Sequence, residues 1–258
     1  MISKLAQIDP KAEIGKNVTI EPFTTIYEDV IIGEGSHIGP NVTIYPGARI
    51  GKNCKIFPGS VISAVPQDLK FKGEYTTAEI GDNTVIRECV TIHRGTEDKM
   101  KTTIGTNCLL MGYVHVAHDC IIGDHCILAN YTGLSGHNIL EDYVILEGKV
   151  GTQQFIRIGA HAFVAGGSLV RKNVPPYVRA AREPLTYAGV NGIGLRRRGF
   201  DDKSIQIVEN AYRQLFVLNN TISAGITAIE SEVEDGEIKE KILNFIKESD
   251  RGIIKGPI

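Results

Sequence analysis

Three histidines and a carboxylate recur at a spacing that suits proton transfer. His115, His118 and Asp119 fall within five residues of one another, and His137 follows eighteen residues after Asp119. Eighteen residues also separate His118 from Gly136 and Gly136 from Gln154. If eighteen residues make one turn of a coil, these positions stack on a single edge, roughly 5–10 Å apart. An imidazole that is neutral near pH 7 can take a proton from a hydroxyl, and an adjacent carboxylate orients the ring and stabilises the cation that forms. Gly136, bearing no side chain, would leave its N–H open to a developing oxyanion. Together these groups make an acyl-transfer constellation. Three histidines could equally hold Zn²⁺ in an open tetrahedral site, so the residues alone leave both chemistries standing. His37, His125 and His161 lie outside the cluster and read as solvated bystanders.

The coil that this arithmetic needs is written into the chain. Isoleucine occupies positions 2, 8, 14, 20, 26, 32, 38, 44, 50, 56 and 62 without a miss. After a break the register resumes at Ile80, Ile86 and Ile92, then runs from Ile104 through Leu110, Val116 and Ile122 to Val164 and Val170, with Thr152 as the one polar occupant. A small or β-branched residue sits four places after each aliphatic, and Cys54, Cys108, Cys120 and Cys126 fall in that slot as core residues. Asn17, Asn41, Asn53, Asn83 and Asn107 recur between them, a residue type that accepts the positive φ of tight corners. Each hexad therefore reads as a short strand plus a turn, and stacked hexads make a solenoid.

Two polar segments interrupt the register, 63–79 and 95–103, and are expected to protrude as loops. Beyond the Pro175–Pro176 pair the period becomes helical. Ile205, Val208, Tyr212, Leu215 and Phe216 form one stripe after Asp201; Ile222, Ile226, Ile229 and Val233 form a second, and Ile238, Ile242 and Ile246 a third. The division expected is a β-solenoid over 1–185 and a small α-helical domain over 186–258. A net charge of −2 gives no global field for nucleic acid. The N-terminus has no apolar leader and no stretch is apolar enough to be an integral membrane segment, so a cytoplasmic protein is expected. Five cysteines without a CxxC pair argue against a disulfide framework.

The hexads resemble the hexapeptide-repeat family, which implies a left-handed parallel β-helix of triangular section with three hexads per coil. LLMGYVHVAHDC (109–120), VTIHRGT (90–96), QDLKFKGE (67–74), PPYV (175–178) and VNGIGLRRRGF (190–200) closely resemble the UDP-N-acetylglucosamine acyltransferases of lipid A biosynthesis. That resemblance implies transfer of a 3-hydroxyacyl group from acyl carrier protein to the 3-hydroxyl of UDP-N-acetylglucosamine, with no cofactor and no metal. It makes His118 the general base, Asp119 its partner and the Gly136 amide the oxyanion donor. It places His115, His137, Asp68 and Gln154 in contact with the sugar nucleotide, and Asn191, Arg197 and Arg198 at the nucleotide and carrier end. On composition alone the arginines at 196–198 also fit a solvated helix face. Gly166, stacked on Gly148 and Asn130 by the same arithmetic, matches the family position that limits acyl length, and glycine there implies long chains. The resemblance further implies a homotrimer, in keeping with a flat-sided prism that offers no deep pocket of its own.

The chain departs from the family at Gln153, where His is frequent, and at Ile193, where an acidic residue is frequent; both bear on nucleotide contacts. Competing readings are the sibling UDP-glucosamine N-acyltransferase, whose extra uridine-binding domain has no room before Ile2, a zinc-dependent hexapeptide-repeat carbonic anhydrase, whose close ligand spacing is not visible, and a purely structural solenoid.

Overall fold

A computed structural model describes residues 1–256. Short strands, most of them two residues long, stack into three sheets of nine, eight and ten strands, parallel except for the last strand of the third. Gln7–Ile8 opens the first sheet, Glu13–Ile14 the second and Thr19–Ile20 the third, and the chain visits them in that order before returning one rung higher. The rung repeat is eighteen residues: Gln7 pairs with Thr25, Ile121 with Ile139, and Ile127 with Ile145. Nine rungs at a spacing of about 4.8 Å give a prism roughly 40 Å tall.

Within each two-residue strand the first residue faces outward and the second inward. Ile20, Ile26, Ile32, Ile38, Ile44, Ile56 and Ile62 are at most 1 % exposed, as are their counterparts Ile86, Ile92, Leu110, Val116 and Leu128. Cys54, Cys108, Cys120 and Cys126 are buried free thiols, as their slot demands. Corners fall between sheets, and their turning residue takes a left-handed conformation: Asn17 (φ 57°), Asn41 (55°) and Asn107 (56°), but also Asp119 (59°), His137 (62°) and Phe155 (62°). Asparagine accepts this region readily; an aromatic side chain does so at a cost that the rung pairing on either side offsets.

The two insertions leave the phase intact. Val61 pairs with Thr91 and Glu79 with Thr103, offsets of thirty and twenty-four, so twelve and six residues have been added to a rung. Strands Val61–Ala64, Thr77–Ile80, Thr91–His93 and Lys101–Ile104 grow to three or four residues beside them, which trims the protruding loops to 65–76 and 94–100. The loops brace each other: the Arg94 guanidinium lies 5.6 Å over the Phe71 ring, and the Glu97 amide donates to Glu74 Oε1 at 3.1 Å.

At the C-terminal end, Val178–Ala181 pairs parallel with Phe163–Val164, and Thr186–Val190 turns back antiparallel along it, extending the third sheet. The helices follow: α1 (Gly192–Arg197), α2 (Asp202–Arg213, continued by a wider turn to Leu218), α3 (Ile222–Glu232) and α4 (Glu237–Lys247). Asp201 caps α2 by accepting from the Ser204 amide at 2.8 Å, and Thr221 caps α3 through the Ala224 amide at 3.1 Å. Ile205, Val208, Tyr212, Ile229, Ile242 and Phe245 are buried, and Tyr212 ties α2 to the prism by donating to the Pro176 carbonyl at 2.6 Å.

Candidate functional site

His118 and Asp119 occupy the corner between strands His115–Val116 and Ile121–Ile122. Both are buried, at 4 % and 1 % exposure. His118 Nδ1 lies 2.7 Å from Asp119 Oδ2, so with the carboxylate ionised the shared proton sits on Nδ1 and the lone pair of Nε2 is left for chemistry. Burial alone would raise the Asp119 carboxyl, but hydrogen bonds from His118, from the Thr96 hydroxyl (2.6 Å) and from the Thr96 amide (2.9 Å), with His137 nearby, hold it at about 2. Asp119 is thus a permanent anion behind His118.

The next rung delivers Gly136 and His137. A Cβ on Gly136 would sit 2.6 Å from Cε1 and 2.7 Å from Nε2 of His118, so only glycine lets the backbone pack against that ring. Among the described residues nothing accepts the Gly136 N–H. His137 meets His118 edge to face at 5.1 Å; its Nε2 is 3.7 Å from Asp119 Oδ2, and its Nδ1 is 3.1 Å from Asp98 Oδ2, outside hydrogen-bond alignment. Asp68 comes from the first loop to within 3.8 Å of His118 Nε2. His115 Nδ1 pairs with the Thr91 hydroxyl at 2.7 Å, and burial, then the charge of His118, holds its imidazole below the ordinary value. A cleft of about 370 Å³ is lined by Gln67, His115, His118, Gly136, Gly151 and Gln154, and a second of about 570 Å³ adjoins it between Asp68, Asp98, His137 and Phe155.

The remaining expected residues lie on other edges of the prism. Asn191 caps α1 and donates to the His161 carbonyl at 2.9 Å, while Arg198 lies 5.2 Å over Tyr143 and 3.4 Å from His161 Nδ1. Those partners sit at the corner between the second and third sheets, and Arg197 is exposed beside them. Gly148 and Gly166 stack at the third corner, between the third and first sheets; a Cβ on Gly166 would meet the Gly148 carbonyl at 3.2 Å. His161 is no solvated bystander. It stacks on Tyr143 at 4.8 Å and is pushed down to about 4 by burial, then by Arg198 and Lys241.

Several neighbours of the His corner carried no flag in the sequence. Gln67 and Thr96 arrive on loops, and His93 is 95 % covered beneath His115, with ring centroids 4.8 Å apart. A usable signal exists for Thr96: Thr91 pairs with His115 at an offset of twenty-four, and the same count carries Gly95 to Asp119 with Thr96 next to it. His118, Asp119 and His137 each offer a ligand atom within 4.8 Å of the others, enough to consider a metal ion. Asp119 Oδ2, however, already accepts from both His118 and Thr96 at 2.7 and 2.6 Å, so a cation there must displace the proton that His118 shares with it.

Residues 11–46, 29–64 and 101–136 match the bacterial transferase hexapeptide (six repeats), and residues 173–254 match domain 2 of UDP-N-acetylglucosamine O-acyltransferase. An acyl-[acyl-carrier-protein]--UDP-N-acetylglucosamine O-acyltransferase of Aliivibrio fischeri is 41 % identical over 197 residues, 76 % of this chain and 75 % of that one. The solved UDP-N-acetylglucosamine acyltransferase of Bacteroides fragilis is 49 % identical with a TM-score of 0.97, covering 99 % of this chain and 100 % of that one. That of Francisella novicida is 39 % identical with a TM-score of 0.96, covering 100 % and 95 %. With the hexads, the C-terminal helices and the full-length likeness in agreement, the chain belongs to the UDP-N-acetylglucosamine O-acyltransferase family.

Proposed function

We propose that the protein transfers a long-chain (R)-3-hydroxyacyl group from acyl carrier protein to the 3-hydroxyl of UDP-N-acetylglucosamine, opening lipid A biosynthesis in the cytoplasm. The observation that carries this is the buried His118–Asp119 pair at 2.7 Å with the Gly136 backbone pressed against its ring. His118 Nε2 takes the proton of the sugar hydroxyl as its oxygen attacks the thioester carbonyl carbon. The carbonyl oxygen becomes an oxyanion that accepts the Gly136 N–H. The imidazolium is stabilised by Asp119, with Asp68 on its open side. When the intermediate collapses, the carbon–sulfur bond breaks and the leaving thiolate takes the proton back from His118. Asp68, His115, His137 and Gln154 then serve to hold the sugar nucleotide.

Asn191, Arg197 and Arg198 are assigned to the nucleotide and carrier end, and Gly148 and Gly166 to the groove for the alkyl chain. The prism holds these sets and the His corner on three different edges, so one chain cannot bring them to one substrate. A homotrimer, in which the His corner of one prism meets another edge of its neighbour, resolves this and gives three equivalent clefts. No helix among the described residues is long and apolar enough to cross a membrane.

The test is incubation with UDP-N-acetylglucosamine and acyl-loaded carrier protein, followed by product mass, with His118→Ala alongside. Acylated sugar nucleotide from the wild type, and a loss of about 10²–10⁴ in rate for the variant, are expected. Undiminished turnover by His118→Ala, or chelator inhibition reversed by zinc, would remove this reading.

A further inference from the structure

His137 does its work only if its ring plane is fixed. Its two nitrogens look toward Asp98 Oδ2 at 3.1 Å and Asp119 Oδ2 at 3.7 Å, neither a tight hydrogen bond. A turn about χ2 would swing both away, and rotations of this sp³–sp² torsion are soft. What holds the plane is the ring one rung on: Phe155 lies parallel to His137 with centroids 4.4 Å apart and 9° between planes. Phe155 is itself in the left-handed region (φ 62°) and remains 46 % exposed. Arg251 packs on it, its guanidinium carbon 4.9 Å from the Phe155 centroid. Because His137 occupies one face of the phenyl ring, the guanidinium lies on the other. The segment that brings it is stitched to the last rung: Lys172 Nζ donates to the Arg251 carbonyl at 2.7 Å, the Asn173 amide to the Gly252 carbonyl at 3.1 Å and the Ile254 amide to the Asn173 carbonyl at 2.9 Å.

We infer that Phe155, clamped by Arg251 from the C-terminal segment, is a positioning residue that sets the ring plane of His137. The column Asp119, His137, Phe155, Arg251 thereby links the end of the chain to the reacting corner. The inference rests on the acyltransferase reading of that corner. Parallel stacks of corner rings recur away from the His118 corner, at Tyr113–Tyr131 and His125–Tyr143; what sets Phe155 apart is that the ring it stacks on is His137, whose Nε2 is 3.7 Å from Asp119 Oδ2.

The experiment compares kcat and KM for Phe155→Leu, Phe155→Tyr, Arg251→Met and Arg251→Lys, each also in a His137→Ala background, on protein whose melting temperature matches the wild type. Phe155→Leu is expected to lower kcat about tenfold with little change in KM for the acyl donor. Phe155→Tyr, which keeps the ring, should recover nearly all of it, and Arg251→Met should lose a smaller part that Lys restores. In the His137→Ala background Phe155→Leu should cost nothing further. Losses that multiply in that background, or a folded Phe155→Leu with wild-type kcat, would overturn the inference. If the wild type made no product, the acyltransferase reading would fail separately. The stack is then judged by the His137 ring-proton shift in NMR, which must move in Phe155→Leu; an unmoved shift refutes it.

Discussion

Thr96 holds Asp119 with two bonds at once, its hydroxyl at 2.6 Å and its backbone amide at 2.9 Å. The second loop is therefore part of the His118–Asp119 corner, because it helps keep the carboxylate ionised and aimed at His118. Removing the hydroxyl in Thr96→Val deprives a buried charge of one donor, a loss of about 1.5–3 kcal/mol. A lower denaturant midpoint together with a fall in kcat is expected. Loss of stability with unchanged kcat would mean that the loop merely packs.

Gly136→Ala places a methyl within 2.6 Å of the His118 ring, so ring or backbone must shift, and with it the amide proposed to receive the oxyanion. Removal of one such donor costs about 10²–10³ in kcat. Steady-state kinetics should show that loss with KM for UDP-N-acetylglucosamine almost unaltered; a purely KM effect would place the oxyanion elsewhere.

Arg198 is held by Tyr143 and His161 on an edge that its own His118 does not reach. Mixed refolding of His118→Ala with Arg198→Ala chains should therefore regain activity, to about one quarter of the wild-type level under random assortment in trimers. Mixtures no better than either parent would mean that each site is built within one chain.

Gly166→Met fills the space beside the Gly148 carbonyl, 3.2 Å from the new Cβ. Each methylene excluded from the groove forfeits roughly 0.8 kcal/mol of burial, so a ladder of acyl donors should peak at shorter chains than for the wild type. An identical profile in the two proteins would locate the groove on another face.

Stability should fall on mild acidification. His93 is pushed down to about 4 by burial, then by His115 and His118, and His161 likewise to about 4. In the unfolded chain both protonate near 6.5, so between pH 6.5 and about 4 the unfolded state binds protons that the folded state refuses. Stability is full above this window and declines as pH drops through it. Asp119, lowered from 3.8 to about 2, adds a loss only in the more acid range as pH falls through those values. Calorimetry from pH 7 to 4 should show a falling Tm, and His93→Gln should flatten the slope; a level wild-type profile would contradict the assignment.

The rungs and the corner were legible in the sequence because a solenoid turns addition into geometry. His118, Gly136, Asp119 and His137 are neighbours by counting eighteen, and the structure puts them there. The same counting locates Phe155 over His137, yet nothing in residue type says that two aromatic rings on one corner will lie parallel or that Arg251, ninety-six residues further on, will cover them. Loop-borne partners were harder. Asp68 was recoverable only by resemblance, Thr96 only once the length of the second insertion is known, and Gln67 depends on how a polar segment folds back, which no periodicity encodes. His161 departs for the opposite reason: its corner position looks solvent-facing in the sequence, but Phe200 and Arg198, from beyond the prism, close over it.

The insertions of twelve and six residues show where this scaffold can grow. Both leave the prism between strands that pair in register on either side, Val61 with Thr91 and Glu79 with Thr103, so the inside and outside of every later rung are set by strand pairing and not by the length of the excursion. The prism thus separates its frame from its ornaments: segments 65–76 and 94–100 can be lengthened or rewritten to suit a new ligand while the isoleucine column beneath them stays as it is.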